Sequence, residues 1–130
     1  MKVGDYVITN DRLHIGKIYN INEFREPSMM YAIDFPNADD FIFMGENDFK
    51  SSPNTIDLIE VGDYVNGYKV TMLEDEYYDD VTDSVKKIKD KEKIKIILGN
   101  EEQFYGIYAK DIKSIVTKEQ FESMEYKVGE

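Results

Sequence analysis

Short apolar and aromatic runs, separated by polar turns, occupy the first half of the chain. The runs are rich in β-branched and aromatic residues, which favour strands. The breaks between them, NDR, REPS and PNADD, carry Pro, Asn, Asp and Ser, which are the residues of tight turns. We therefore predict four strands in this half, at residues 6–9, 15–21, 30–35 and 41–44.

The second half contains the clearest local pattern, DYVNGYKV. Asn66-Gly67 lies between two apolar-aromatic runs, and both residues tolerate positive φ, so this pattern predicts a tight hairpin with a type I′ turn. KIKIIL, at residues 93–98, alternates in polarity as a half-buried strand does. GNEEQ, at 99–103, is expected to turn that strand back into FYGIYA.

One short helix is predicted near residues 118–124. Thr117-Lys118-Glu119-Gln120 has the capping-box pattern, in which Thr117 accepts the amide proton of Gln120 and the Gln120 side chain reaches back. Phe121 and Met124 are expected to form the buried face of the helix. EYKV, at 125–128, is expected to form a closing strand.

The sequence VGDYV occurs at residues 3–7 and again at 61–65. A second match follows in the same order, because FIFMGENDFKS (41–51) resembles FYGIYAKDIKS (104–114), with an offset of 63 residues instead of 58. Two such matches imply a duplicated β module, at 1–60 and 61–130, with about five residues gained between 66 and 103 in the second copy. In each VGDYV, the Asp after Gly is expected to fix a turn while Val and Tyr pack.

Modules of this length that open with Gly-Asp and contain about five short strands resemble small SH3-like barrels. Residues 4–8 (GDYVI), followed by 16–18 (GKI), are similar to the start of the KOW-type barrel of ribosomal and transcription proteins. The loop TNDRLH departs from that family, since it lacks the basic, glycine-rich loop that contacts RNA. The expected fold is mainly β, with two tandem SH3-like barrel modules and one short C-terminal helix.

Charge narrows the choice of partner. The chain has 27 acidic and 16 basic residues and a formal net charge of −11, which repels nucleic-acid phosphates and anionic membranes and favours a basic protein surface as the partner.

Cysteine is absent, which excludes thiolate chemistry and disulfides and suits a reducing compartment. Since MKVGDYVITN lacks a signal-peptide pattern and no stretch reaches the roughly 18 apolar residues of a membrane span, we expect a soluble cytoplasmic protein.

The motifs of common catalytic and cofactor sites are missing from the sequence. His14 is the only imidazole and is expected to be a surface residue, and neither a GxSxG elbow nor a phosphate-cradling glycine motif occurs. DFPNADD (34–40) and EDEYYDD (74–80) offer several carboxylates, but neither has the ligand spacing of an EF-hand loop. We predict no catalytic residue, metal site or cofactor; opportunistic divalent-ion binding and carboxylate-dependent hydrolysis stay as alternatives.

Six acids and then six lysines fill the window that holds the predicted insertion. One interpretation is structural: a long hairpin or loop whose two arms attract one another across solvent. The other is functional: the acids, with tyrosines among them, form an anionic surface that binds a basic partner. The lysines are Lys86, Lys87, Lys89, Lys91, Lys93 and Lys95.

In the functional interpretation, acids of both modules lie along one edge and imitate the charge spacing of DNA. The first module contributes Asp34, Asp39, Asp40, Glu46 and Asp48 to this edge. The predicted partner-binding residues are Glu74, Asp75, Glu76, Tyr77, Tyr78, Asp79, Asp80, Asp83, Asp39 and Asp40.

Tandem VGDYV openings and the tail SIVTKEQFE are similar to small accessory proteins of phages and prophages of Gram-positive bacteria. This resemblance implies a phage-encoded protein that acts on a host system. With the acidic surface, it leads to the hypothesis of a non-enzymatic inhibitor of the anti-CRISPR or other anti-defence type, which binds a nucleic-acid-binding host protein. A KOW-like RNA- or ribosome-associated module is the alternative, with residues 86–95 as its basic patch, and a carboxylate-dependent enzyme is the third.

Overall fold

The computed structural model of the chain describes residues 1–36, 38–99 and 102–124. Strands are the main element, and the chain divides into two compact units: residues 1–58 together with residues from Glu119 onward, and Ile59–Lys118. The predicted mainly β class and C-terminal helix are confirmed. Within the described ranges, no helix is long and apolar enough to cross a membrane.

The first unit contains one antiparallel sheet of five strands. They are paired in the order β4-β3-β2-β1-β5. The four predicted strands are all present, while the fifth was not predicted. Their bounds are β1 (Tyr6–Thr9), β2 (Ile15–Ile21), β3 (Tyr31–Asp34), β4 (Ile42–Met44) and β5 (Phe49–Ser52).

The core of the first unit comes from the period-two alternation of these strands. Val7, Ile18 and Ile33 point to one side of the sheet and are almost completely buried. Tyr31 joins them and packs edge-on against Phe49, with ring centroids 5.4 Å apart. The strands are therefore held by one shared apolar face.

The second unit has the same strand order. Its five-stranded sheet runs β11-β10-β7-β6-β12, and the apolar core contains Val65, Val70, Ile96 and Leu98. Asn66 and Gly67 have φ of 53° and 85°, so the predicted positive-φ turn is confirmed. The bounds are β6 (Tyr64–Val65), β7 (Tyr68–Glu74), β8 (Glu76–Asp79), β9 (Ser84–Lys87), β10 (Lys95–Gly99), β11 (Phe104–Ile107) and β12 (Ile115–Val116), and helix α1 follows at Lys118–Met124.

Pairing registers show where the two copies diverge. Residues that hold the same pairing position in the two sheets are 58 positions apart in the sequence for the first strand, 52 for the second, 65 for the third and 63 for the fourth. The net gain of five residues therefore combines one long insertion, which contains β8 and β9, with two turns that are shorter in the second unit. The equivalent pairs are Tyr6 and Tyr64, Ile18 and Val70, Ile33 and Leu98, and Ile42 and Tyr105.

A short 3₁₀ helix joins the fourth and fifth strands in both units, at Glu46–Asp48 and Ala109–Asp111. The Asp48 carboxylate accepts a hydrogen bond from the Gly45 amide (2.9 Å), and the Asp111 carboxylate accepts one from the Tyr108 amide (3.1 Å). The second matched sequence pattern therefore marks a second shared turn.

Neither sheet closes into a barrel. Among the described residues, the outer strands of each sheet pair on one side only, with β4 and β5 outermost in the first unit and β11 and β12 in the second. These strands have two to four residues, which leaves few backbone groups to complete a ring. The closed barrels implied by the family resemblance are therefore not seen in this part of the chain.

The two VGDYV copies form the same turn, which confirms the role expected for their Asp residues. Gly4 and Gly62 have φ of 93° and 100°, a conformation that favours glycine. The Asp5 carboxylate accepts from the Lys2 amide (3.0 Å), and the Asp63 carboxylate accepts from the Glu60 amide (2.8 Å). Each turn is thereby locked ahead of the first strand.

Asp63 has a further role that Asp5 lacks. Its Oδ1 accepts a hydrogen bond from the Lys118 amide (2.9 Å) at the start of α1, and the residue is fully buried. The second VGDYV turn is therefore tied to a segment 55 positions later in the chain.

The prediction of a buried apolar face on α1 is wrong. Phe121 and Met124 are 46% and 72% exposed. Polar contacts hold the helix instead: Glu119 pairs with the Arg12 guanidinium at 2.9 Å, and the Gln120 side-chain amide donates to the Leu13 carbonyl at 2.9 Å. The predicted closing strand EYKV lies outside the described residues.

Replacing each turn carboxylate with alanine will separate the two roles. Asp63→Ala should lower the free energy of unfolding by about 3 kcal/mol, because at least two backbone donors lose a buried, charged acceptor. Asp5→Ala should lower the free energy of unfolding by about 1 kcal/mol, because Asp5 is half-buried and accepts one such hydrogen bond among the described residues. Urea denaturation measures both values, and equal losses would contradict the added role of Asp63.

Candidate functional site

The insertion of the second unit folds as a separate two-stranded ribbon, here called the inserted hairpin (residues 75–88). Strands β8 and β9 pair so that Glu76 faces Lys87 and Tyr78 faces Val85. At its base, the Ile88 amide donates to the Asp75 carbonyl at 2.7 Å. Within the described chain, neither of its strands pairs with the five-stranded sheet.

Lysines of one arm pair with acids of the other. Lys87 Nζ lies 3.2 Å from Glu76 Oε1 and 3.7 Å from Asp75 Oδ2, and Lys86 Nζ lies 2.8 Å from Asp79 Oδ2. The Glu76 carboxylate, followed by Asp75, raises the pKa of Lys87, and the hydrogen bond from Lys86 lowers the pKa of Asp79. The attraction between arms that the structural interpretation predicted is thus confirmed.

Carboxylates also shape the turn of the inserted hairpin. Asp79 Oδ1 accepts from the Val81 amide at 3.0 Å, and Asp83, with φ of 53°, accepts a hydrogen bond from the Tyr78 hydroxyl. That bond raises the pKa of Tyr78. Two predicted site acids, Glu74 and Asp80, are exposed and form no lysine pair in the described ranges.

Apolar side chains of the inserted hairpin point into solvent. Val81 at the tip is 90% exposed, and Tyr77, Tyr78 and Val85 are each at least half exposed. Tyr78 and Val85 face each other across the two strands, so they share one side of the ribbon. Tyr78, Val81 and Val85, together with Asp80 and Asp83, form an exposed surface of mixed apolar and acidic character.

An open, mostly basic cleft of about 780 Å³ lies beside the inserted hairpin. Tyr77 lies at this cleft, and among the described residues Asp90 is the one acid that lines it. The remaining lining residues are Lys86, Lys87, Ile88, Lys89 and Lys93. The inserted hairpin therefore combines an acidic, apolar tip with a basic cleft that includes lysines of β9.

Asp39 and Asp40 lie in the first unit, in the turn that precedes β4. Both are exposed, and Asp40 Oδ1 accepts from the Phe41 amide at 2.7 Å. The inserted hairpin belongs to the second unit, and a common edge formed by acids of both units stays a prediction.

Other candidate chemistry is sparse in the described ranges. His14 is exposed, as predicted, and its ring packs edge-on against Phe35 at 5.9 Å. Within these same ranges, no three acidic or imidazole groups converge as a metal ion requires.

Sequence reasoning missed an exposed aromatic patch on the first unit. Residues 41–43 lie within a predicted strand and are each about 40% exposed at the outer strand of the sheet. The run of four apolar residues at 41–44, with acids nearby on both sides, was the available signal, since a strand with one buried face alternates instead.

Comparison with known proteins finds no matching family model, no similar curated protein and no similar solved structure.

A titration tests the pairing within the inserted hairpin. The pKa of the Asp79 carboxyl should lie below the ordinary value of an aspartate, and Lys86→Gln should raise the titration midpoint towards that value, because it removes the main cause of the shift. Because the Asp79 pKa is lower in the folded protein, the stabilisation from this pair is fully present at a pH above the pKa of the unfolded chain. It is lost as the pH falls through the pKa of the folded protein. Carboxyl-carbon NMR measures the midpoint.

Lys89→Gln is the matched control, since Lys89 has the same charge in the same segment and makes no ion pair among the described residues. An Asp79 midpoint that is the same in the wild type and in Lys86→Gln would show that the pair does not form in solution.

Proposed function

We propose that the protein is a non-enzymatic binding factor that uses the inserted hairpin to contact a basic surface of another protein. The observation that carries this proposal is a ribbon outside both five-stranded sheets that exposes Tyr77, Tyr78, Val81 and Val85 beside acids. Tyrosine supplies rigid contact area at interfaces, and carboxylates steer an oppositely charged partner. Such exposure on a segment that packs into neither core is typical of an interaction site.

Electrostatic recognition in this proposal depends on the acids that lysines leave unpaired. Residues 74–95 contain eight acids and six lysines, so the segment itself has only a small excess of negative charge. Within residues 74–95, the carboxylates of the predicted site without a lysine partner in the described ranges are Glu74, Asp80 and Asp83. They supply local anionic contacts, while the net charge of −11 supplies the long-range attraction.

The setting proposed is a phage or prophage accessory protein that acts in the cytoplasm of a bacterial host. Its target is a nucleic-acid-binding host protein, whose basic groove an acidic surface occupies in place of DNA, as an anti-CRISPR or other anti-defence inhibitor does. The scaffold is two open SH3-like modules. Support for that scaffold comes from the shared strand order and from the 3₁₀ helix before each fifth strand.

A second candidate function is RNA or ribosome binding by a KOW-like module. The cleft beside Tyr77 favours it, because four lysines line the cleft and an aromatic ring lies at its wall. Backbone phosphates bind lysines, and bases stack on aromatic rings. This candidate depends on the lysines of the cleft, whereas the first depends on acids and on Tyr78, so the two functions respond to different substitutions.

Charge-matched variants distinguish these functions. In a tagged pull-down from a bacterial lysate at two salt concentrations, Glu74→Gln/Asp80→Asn should lose the captured protein, and Tyr78→Ala should lose it as well. Glu23→Gln/Glu26→Gln changes the net charge by the same amount far from the site in sequence and should retain capture. Mass spectrometry identifies the retained protein.

Lys87→Gln/Lys89→Gln/Lys91→Gln should leave protein capture nearly unchanged. If these lysine substitutions abolish retention on an RNA column while the acidic variants retain full capture, the second candidate replaces the first. Turnover that requires Mg²⁺ would contradict both binding functions.

A further inference from the structure

We propose that the first unit carries a second docking surface, at the open edge of β4, for an extended basic segment of another protein. This surface is distinct from the inserted hairpin and does not depend on the function proposed for it. The occupant adds a strand beside β4, as peptides do at exposed sheet edges.

The outer edge of β4 is apolar and has no paired strand in the described ranges, and the 3₁₀ turn at Pro27–Met29 packs against Gly45 just beyond its end. Strand β4 is outermost in its sheet, and β3 is the only strand that pairs with it in the part of the chain that the structure describes. Phe41, Ile42 and Phe43 are 37%, 44% and 40% exposed. An apolar edge strand promotes pairing with another chain unless something covers or blocks it.

Aromatic contacts hold this surface in shape. The rings of Tyr19 and Phe41 stack with centroids 4.1 Å apart and an interplanar angle of 17°. The Arg25 guanidinium lies 4.2 Å from the centroid of the Phe43 ring. Arg25 therefore covers one face of Phe43, and the apolar surface left for a partner is the rest of this ring with Phe41 and Ile42.

Charge identifies the occupant. Four exposed acids lie in the turns on either side of β4, and the sequence has no basic residue between Arg25 and Lys50. A basic segment complements these carboxylates, whereas a second copy of this chain brings the same negative charges to the contact. The four acids are Asp39, Asp40, Glu46 and Asp48.

The equivalent outer strand of the second unit, β11, is protected against the addition of another strand by nearby lysines. Phe104 and Tyr105 on β11 are also exposed. The Lys95 side chain, however, packs closely against Gly106 in the middle of that strand, and Lys110 follows it. Lys95 reaches this edge from β10 and Lys110 lies just beyond β11, so their charges repel a basic segment there. Among the described residues, the first unit is thus the one that combines an apolar outer strand without lysines with four neighbouring acids.

Binding of a defined peptide tests the proposal. The probe is a fluorescein-labelled peptide of alternating Lys and Val. Two control peptides replace Lys with Glu, or replace alternate Val residues with Pro, which removes strand hydrogen bonds. Fluorescence anisotropy should show binding of the Lys-Val peptide that weakens as salt rises, and no binding of the Glu peptide.

Substitutions then locate the surface. Ile42→Lys/Phe43→Lys should weaken the peptide by at least about tenfold, which corresponds to about 1.4 kcal/mol. Tyr105→Lys is the matched control on the other edge and should bind normally. Glu74→Gln/Asp80→Asn, which tests the inserted hairpin, should also leave peptide binding unchanged, so the two proposals fail separately. If the double lysine variant is unfolded by circular dichroism, Ile42→Thr/Phe43→Thr replaces it and should show the same loss.

Three results would overturn this proposal. If the Pro peptide binds as tightly as the Lys-Val peptide, strand hydrogen bonds do not contribute and binding depends on charge alone. Unchanged binding by the folded edge variant would place the peptide elsewhere. Concentration-dependent dimerisation that the edge variant abolishes would make a second copy of the chain the occupant.

Discussion

The carboxylate of Asp63 is the constraint around which the second unit is organised. It is fully buried, it accepts from the Glu60 amide to fix the turn before β6, and it accepts from the Lys118 amide where α1 begins. A buried charge is stable only when hydrogen bonds replace its water, and here backbone donors supply them. One side chain thus joins the first and last parts of the unit.

Because the strand order, the VGDYV turn and the 3₁₀ helix before the fifth strand are the same in both units, the repeated sequence specifies a scaffold. Among the described residues, none of the buried apolar side chains of either unit belongs to β8 or β9. The insertion between the second and third strands of the second unit is therefore free to carry surface chemistry. It exposes Tyr78, Val81 and Val85, which a structural connection would bury or replace.

Short sequence patterns predicted the features of the fold that depend on residues close together in the sequence. The Asn66-Gly67 turn, the Asp turns and most strands follow from residue type and alternation. The exposure of Phe121 was not predictable, because it depends on polar contacts of Glu119 and Gln120 with residues more than 100 positions away. The pairing of Lys86 with Asp79 depends on hairpin register, and the exposure of residues 41–43 depends on which strand is outermost; neither is encoded in a short window.

The central claim is that the repeat builds the scaffold and the inserted hairpin binds the partner. Excision tests it most directly: residues 76–87 are removed, and Asp75 is joined to Ile88 by Asn-Gly, since these residues already share a hydrogen bond of 2.7 Å. We predict an unfolding free energy within about 1 kcal/mol of the intact protein and complete loss of partner capture. An excised protein that is unfolded, or that captures the partner as the intact protein does, would contradict this account.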